Sequence, residues 1–234
     1  SHEVANVEVP DDELLRSLID DGAVAEQKAR ALTPERPVLR GSSQNPDVFF
    51  QSREAVNRTY EAFPDLVQQS MDEYGEATGR HYQLYEYHGA VDADRVIVTM
   101  GSSADTVAET VDCLQASGER VGVLKVRLYR PLDAKRLVAA LPTSVRSVAV
   151  LDRTKEPGAG GEPLYKDVVT ALATSGAGNM PTVIGGRYGL AGKEFTPGMA
   201  ASVFEELKRT EPRRSFTVGI HDDVTGQSLD WDPD

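Results

Sequence analysis

RVIVTMGSSADTVAETVDCLQASGERVGVLKVRLYRP, residues 95–131, decides the architecture. A β-branched run (95–100) meets the turn Met100-Gly101-Ser102-Ser103, then an amphipathic stretch (103–116), then a second apolar run (121–126). Strands that are continuously apolar rather than alternating are buried on both faces, as in a parallel sheet covered by helices. The pattern recurs outward, with strands predicted at 147–151, 182–185 and 215–220 and helices at 133–140, 163–174 and 197–208. Residues 91–225 therefore read as an α/β unit, doubly wound, with a mostly parallel sheet of about five strands. Met199, Val203, Phe204 and Leu207 form the apolar stripe of the last helix, which makes Met199 packing and not a ligand.

Residues 1–90 differ in kind, a helical and extended segment with no evident sheet. The pattern predicts a helix over 10–32, opened by Asp11 and Asp12, with Leu14, Leu15, Leu18, Ile19 and Val24 at helical spacing. An extended loop follows at 38–51, turning at Gly41, Asn45 and Pro46, then a helix over 53–79 interrupted at Pro64. Such a segment buries too little surface to fold alone, so it reads as the end of a preceding domain or a linker. The abrupt first residues and the polar tail 226–234 read as cuts through a longer chain.

Twenty-five basic residues against 37 acidic give a net charge of −12. A surface that acidic repels phosphate backbones and anionic lipid, which disfavours nucleic-acid and membrane partners. It also repels a small acidic electron carrier. No run approaches the roughly 20 apolar residues of a membrane span, and the start lacks a signal-peptide pattern, so a cytoplasmic location is expected. Cys113 is the single cysteine. It permits no intrachain disulfide and no cysteine-held cluster, and its place in an amphipathic stretch reads as a small buried apolar residue.

Four places carry candidate chemistry. Gly101 and Ser102 sit where backbone N–H groups and a helix dipole can hold an anion, although a serine cap is the commoner use of that position. Lys125, Arg127 and Arg130 leave the second strand near its carboxyl end, where open sheets bind ligands; pairing with carboxylates of a neighbouring domain is the simpler reading. Arg153 and Lys155 open the glycine-rich stretch LDRTKEPGAGGEP (151–163), suited to a site or to an interdomain contact. Arg187-Tyr188-Gly189-Leu190 and Lys193 form another such loop, and His221-Asp222-Asp223 reads as a turn. No metal-binding histidine spacing, no G-x-S-x-G and no complete catalytic constellation stands out. No catalytic, cofactor-binding or metal residue is assigned.

VRLYRP (126–131), VLDRTKEPGAGGEPLY (150–165), GGRYGLAGKEFTP (185–197) and FTVGIHDDVTGQSL (216–229), in that order, resemble the pyruvate:ferredoxin/flavodoxin oxidoreductases. So does VLRGSSQNPDVFFQSREAVN (38–57), with Ser42 and Ser43 where the family has Thr-Ala. The resemblance covers essentially the whole chain. It implies the end of a first domain plus a second domain similar to the carboxyl-terminal domain of transketolase. The family converts pyruvate and coenzyme A to acetyl-CoA and carbon dioxide while reducing ferredoxin or flavodoxin. It uses thiamine diphosphate, Mg²⁺ and [4Fe–4S] clusters, carried outside the matched segment. The resemblance thus implies a non-catalytic structural and assembly segment. Its partners are the other domains of a homodimeric parent, met through loops 40–46 (Arg40, Asn45) and 153–161. A self-sufficient anion- or cofactor-binding module is the alternative.

Overall fold

The computed structural model describes residues 7–176 and 180–232, which fall into two compact units, 7–82 and 83–232. The first consists of helices α1 (Asp12–Ser17), α2 (Asp21–Ala29), α3 (Pro46–Ala55) and α4 (Asn57–Thr78). The single helix expected over 10–32 is two. The Asp11 carboxylate accepts from Leu14 N–H at 2.8 Å, and Asp20 restarts the chain by accepting from Gly22 and Ala23 N–H at 2.8 and 3.1 Å. The expected loop over 38–51 is corrected too, because Pro46 occupies the first turn of α3 and its fixed φ suits a helix start. α4 runs through Pro64 instead of breaking there, giving up one main-chain hydrogen bond. It stops at Gly79, whose φ of 73° ends the helix in the left-handed region.

None of α1, α2 or α3 has a buried residue, and α4 buries only Pro64 and Gly75. Leu39, Phe50 and Leu66 are among many large apolar side chains left exposed. A unit that buries so little has no core of its own.

The second unit holds one seven-stranded sheet in the order β1-β3-β2-β4-β5-β6-β7. Its elements are β1 (Tyr85–Gly89), β2 (Arg95–Thr99), α5 (Ser103–Ala116), β3 (Val121–Val126), α6 (Ala134–Ala139) and β4 (Ser147–Asp152). They continue with α7 (Pro163–Thr174), β5 (Thr182–Arg187), α8 (Pro197–Lys208), β6 (Ser215–Val218) and β7 (Ser228–Leu229). Every neighbouring pair is parallel except β1–β3. The five predicted strands are all present, and β1 and β7 are additional. β1 escapes the pattern because one of its faces carries Glu86 and His88, which are spent on an ion pair with Arg127 and a hydrogen bond with Asp112.

The chain steps from β2 to β3, then returns past β2 to β4 and continues outward. β2 and β4 therefore flank the point where a doubly wound sheet opens its crevice. α5 and α8 pack on one face, α6 and α7 on the other. The core under α5 and α8 joins Val107 and Val111 to Met199, Val203, Phe204 and Leu207 over Ile97, Ala149, Ile184 and Phe216. Cys113 is exposed, against expectation. It falls two residues past the inward Val111, on the opposite side of a 3.6-residue helix.

Gly186 is a tight point of this core. A Cβ there would lie 2.3 Å from the Phe216 ring and 2.7 Å from Leu151. Gly186→Ala is predicted to destabilise the unit by about 1–3 kcal/mol through overpacking, read as a lowered urea midpoint at unchanged slope.

Candidate functional site

Ends of β2, β4 and β5 meet at the carboxyl edge of the sheet. Ser103, the first residue of α5, sits between two hydroxyls: Thr99 Oγ1 at 2.9 Å and the Tyr188 phenol at 2.6 Å. All three residues are buried. Tyr188 leaves β5 and packs its ring on Phe195, centroids 4.7 Å apart. β4 lies between β2 and β5, so the Ser103–Tyr188 bond crosses its end. There Arg153 Nε donates to the Gly189 carbonyl at 2.8 Å. The crevice of the switch point is thus closed by the loop 188–196.

Beside it, Asp152 ends β4 with its side chain 1% exposed and serves α7. Its carboxylate accepts from Leu164 N–H at 2.9 Å and Tyr165 N–H at 3.0 Å, donors that a helix start otherwise leaves orphaned. Burial pushes its pKa above the ordinary value, outweighing the two N–H groups that pull it down. Glu162, also buried, ties the glycine-rich loop in place: it accepts from Glu156 N–H at 2.6 Å and lies 3.4 Å from Lys155 Nζ and 3.5 Å from Arg187. Glu156 in turn pairs with Lys166 at 2.6 Å.

The candidates from the sequence are distributed as follows. Gly101 adopts φ 80° and Ser102 stands at the cap position of α5, yet its hydroxyl makes no cap bond. Asp105 already places a carboxylate in that first turn, which disfavours an anion there. Arg127 binds Glu86 at 2.8 Å, Lys125 binds Asp105 at 3.2 Å, and Arg130 binds Asp167 at 2.6 Å with its guanidinium 3.9 Å from the Tyr129 ring centroid. These partners belong to the same α/β unit and not to a neighbouring domain. β1 pairs Glu86 with Lys125 in register, and that strand was the missing information. Arg153 lies at the closed crevice, while Lys155 pairs with Glu162 and lines a cleft beyond β5. Arg40 donates to the Arg30 carbonyl, and Asn45 precedes α3 without a side-chain cap bond, both within the first unit.

Residues 93–199 match the family model of pyruvate:ferredoxin oxidoreductase core domain II. Residues 1–72 match that of the thiamine diphosphate-binding pyruvate flavodoxin/ferredoxin oxidoreductases. The chain belongs to the pyruvate:ferredoxin/flavodoxin oxidoreductase family. It is 59% identical over 235 residues to the pyruvate-flavodoxin oxidoreductase of Trichormus variabilis, covering 100% of this chain and 20% of that one. Identity to the pyruvate:ferredoxin oxidoreductase of Moorella thermoacetica is 53% over 230 residues, 98% of this chain and 20% of the relative. The chain spans about a fifth of the length of these relatives. Among solved structures, a 2-oxoglutarate:ferredoxin oxidoreductase from Magnetococcus marinus aligns at a TM-score of 0.38 and 20% identity, over 62% of this chain and 23% of that one.

Clusters and Mg²⁺ are cofactors that the sequence resemblance implies. A [4Fe–4S] cluster takes four thiolates, and the chain has one cysteine. The cluster does not fit this segment by itself. No group of three or more His, Cys, Asp or Glu side chains is arranged for a metal among the described residues. Sequence reasoning named Ser103 and Tyr188 only within their separate glycine turns and did not foresee that they meet; it missed the bracing role of Glu162, whose one signal is an acidic residue directly before Pro163.

Two outcomes follow. Asp152→Ala leaves two buried N–H groups unpaired and is predicted to cost about 1–3 kcal/mol in urea unfolding. Asp223 accepts from Thr225 Oγ1 at 2.6 Å and from Thr225, Gln227 and Ser228 N–H at 2.9, 2.6 and 2.6 Å, with the Thr225 hydroxyl the largest cause of a pKa lowered to about 2. Its stabilisation is full above its ordinary value of 3.8 and is lost as pH falls towards about 2. The gap in urea midpoint between the wild type and Asp223→Ala should therefore narrow on acidification and stay constant above about pH 5.

Proposed function

We propose that this segment is the non-catalytic scaffold of a pyruvate:ferredoxin (flavodoxin) oxidoreductase. In the parent, pyruvate and coenzyme A give acetyl-CoA and carbon dioxide while ferredoxin or flavodoxin is reduced. Thiamine diphosphate, Mg²⁺ and the [4Fe–4S] clusters are carried by other parts of the polypeptide. Residues 83–232 are a rigid block against which those parts pack and which helps complete the parent's dimer. Residues 7–82 are the end of the preceding domain, whose missing remainder covers the exposed apolar side chains of α1 to α4.

The observation that carries this reading is the closed switch point. A doubly wound sheet that binds a small ligand keeps that crevice open. Here Tyr188 and Phe195 fill it, Ser103 is hydrogen-bonded on both sides, and Asp152 is committed to α7. The three cations of KVRLYRP, the natural clamp for an anion, are neutralised within the unit. What remains exposed is the rim of the edge, including Gly158, Ala159 and Gly160, which suits contact with another domain.

Thermal unfolding of the purified chain tests this directly. A ligand at one hundred times its Kd adds about 2.7 kcal/mol to stability. Thiamine diphosphate, coenzyme A and pyruvate are each predicted to leave the melting temperature unchanged, and the chain is predicted to release no carbon dioxide from pyruvate. A shift with any one of them, or decarboxylation, would establish the ligand-binding alternative instead.

A further inference from the structure

Two loops, RYGLAGK (187–193) and IHDDVTGQ (220–227), come together across the ends of β5 and β6, on the side away from the Ser103–Tyr188 bond. They bound a cleft of about 600 Å³ that also takes in Lys155 and Thr217. The second loop is built rigidly. Asp223 holds it through the four hydrogen bonds already described, so His221-Asp222-Asp223 is a turn and not a metal site. That turn holds Val224 out, 99% exposed, with Leu190 and Ile220, also exposed, on the same cleft. An apolar side chain presented by a pre-ordered loop has little ordering entropy left to lose on association.

The charges of the cleft are unequal in their freedom. Asp223 is spent within its own turn, while Asp222 is exposed. On the β5 side, Lys155 and Arg187 share a single oxygen of Glu162 at 3.4 and 3.5 Å, and the other oxygen is taken by Glu156 N–H. Lys193 makes no ion pair among the described residues. The Thr217 hydroxyl is buried beside them without a hydrogen-bond partner among the described residues. A chain of net charge −12 thus gathers Lys155, Lys193, an unsatisfied hydroxyl and three exposed apolar side chains in one place, with Asp222 on the same cleft. Exposed apolar side chains grouped together and rimmed by polar residues mark a site of protein contact.

We infer that this cleft is a docking site for another domain of the parent polypeptide, outside the present segment, through a stretch that pairs a carboxylate with an aliphatic or aromatic side chain. The carboxylate meets Lys193 and Lys155, and the apolar side chain meets Val224, Ile220 and Leu190. The inference rests on the scaffold reading and names where that scaffold is gripped.

A photo-crosslinking amino acid replacing Val224 in the intact oxidoreductase tests it, with a second placed at Arg153 as a separate probe of the scaffold. The expected result is a crosslink from position 224 to a peptide that lies outside this segment and contains Asp or Glu. Lys193→Glu should reduce its yield about tenfold or more, because a like charge opposes the carboxylate. The melting temperature of the isolated Lys193→Glu chain should be unchanged, since Lys193 is exposed. No crosslink from 224, a crosslink to residues 1–82, or a crosslink to the same segment of a second copy overturns the inference. So does protection of position 224 by inorganic pyrophosphate in the isolated chain, which would make the occupant a small anion. Crosslinks to other domains from 153 but none from 224 overturn this docking site and leave the scaffold intact. Silence at both positions overturns both.

Discussion

The hydrogen bond between Ser103 and Tyr188 joins two connections that a doubly wound sheet ordinarily keeps apart. Ser103 opens the helix after β2, Tyr188 leaves β5, and β4 runs between them. Once the phenol reaches the serine, the loop 188–196 must lie across the sheet's carboxyl edge, and Arg153 can reach the Gly189 carbonyl. The same loop delivers Phe195 into the core and Thr196 to cap α8. One side chain so placed closes the crevice between β2 and β4 and leaves the edge open beyond β5, where Leu190 and Val224 line a cleft.

Charge follows the same logic. The chain carries a large excess of carboxylates, and the α/β unit uses several of them inwardly: Glu86 for Arg127, Asp167 for Arg130, and Glu162 for Lys155 and Arg187. A carboxylate as buried as Asp152 survives only because α7 offers it two N–H groups. Groups committed in this way hold shape, as the scaffold role proposed above requires. An isolated exposed ion pair adds little, but the buried members here fix where loops lie.

Much of the fold was legible in the residues because its signals are local. α5, α7 and α8 keep the bounds that the pattern predicts, since a glycine turn, Glu162-Pro163 and Thr196-Pro197 announce their starts. The first unit was read less well. Asn45-Pro46 signals a turn and a helix start with the same two residues, and only the later turns of α3 decide between them. Continuous apolar spacing through Ile19 hid the new cap at Asp20. β1 was invisible because its outward face is polar, and with it went the partner of Arg127. The site was the least legible part. Ser103 and Tyr188 are 85 residues apart, and neither residue type at its own position announces the other. The family, by contrast, was readable from long ordered words, because they record contacts that the eye cannot pair.

A double-mutant cycle on Ser103→Ala and Tyr188→Phe, followed by urea unfolding, probes that central contact most directly. The closed edge predicts a coupling energy of about 1 kcal/mol or more, since Ser103→Ala takes this partner from the buried phenol while Tyr188→Phe leaves Ser103 bonded to Thr99. Destabilisations that simply add, within about 0.3–0.5 kcal/mol, would show that the two side chains act independently and that the edge is not closed by their bond.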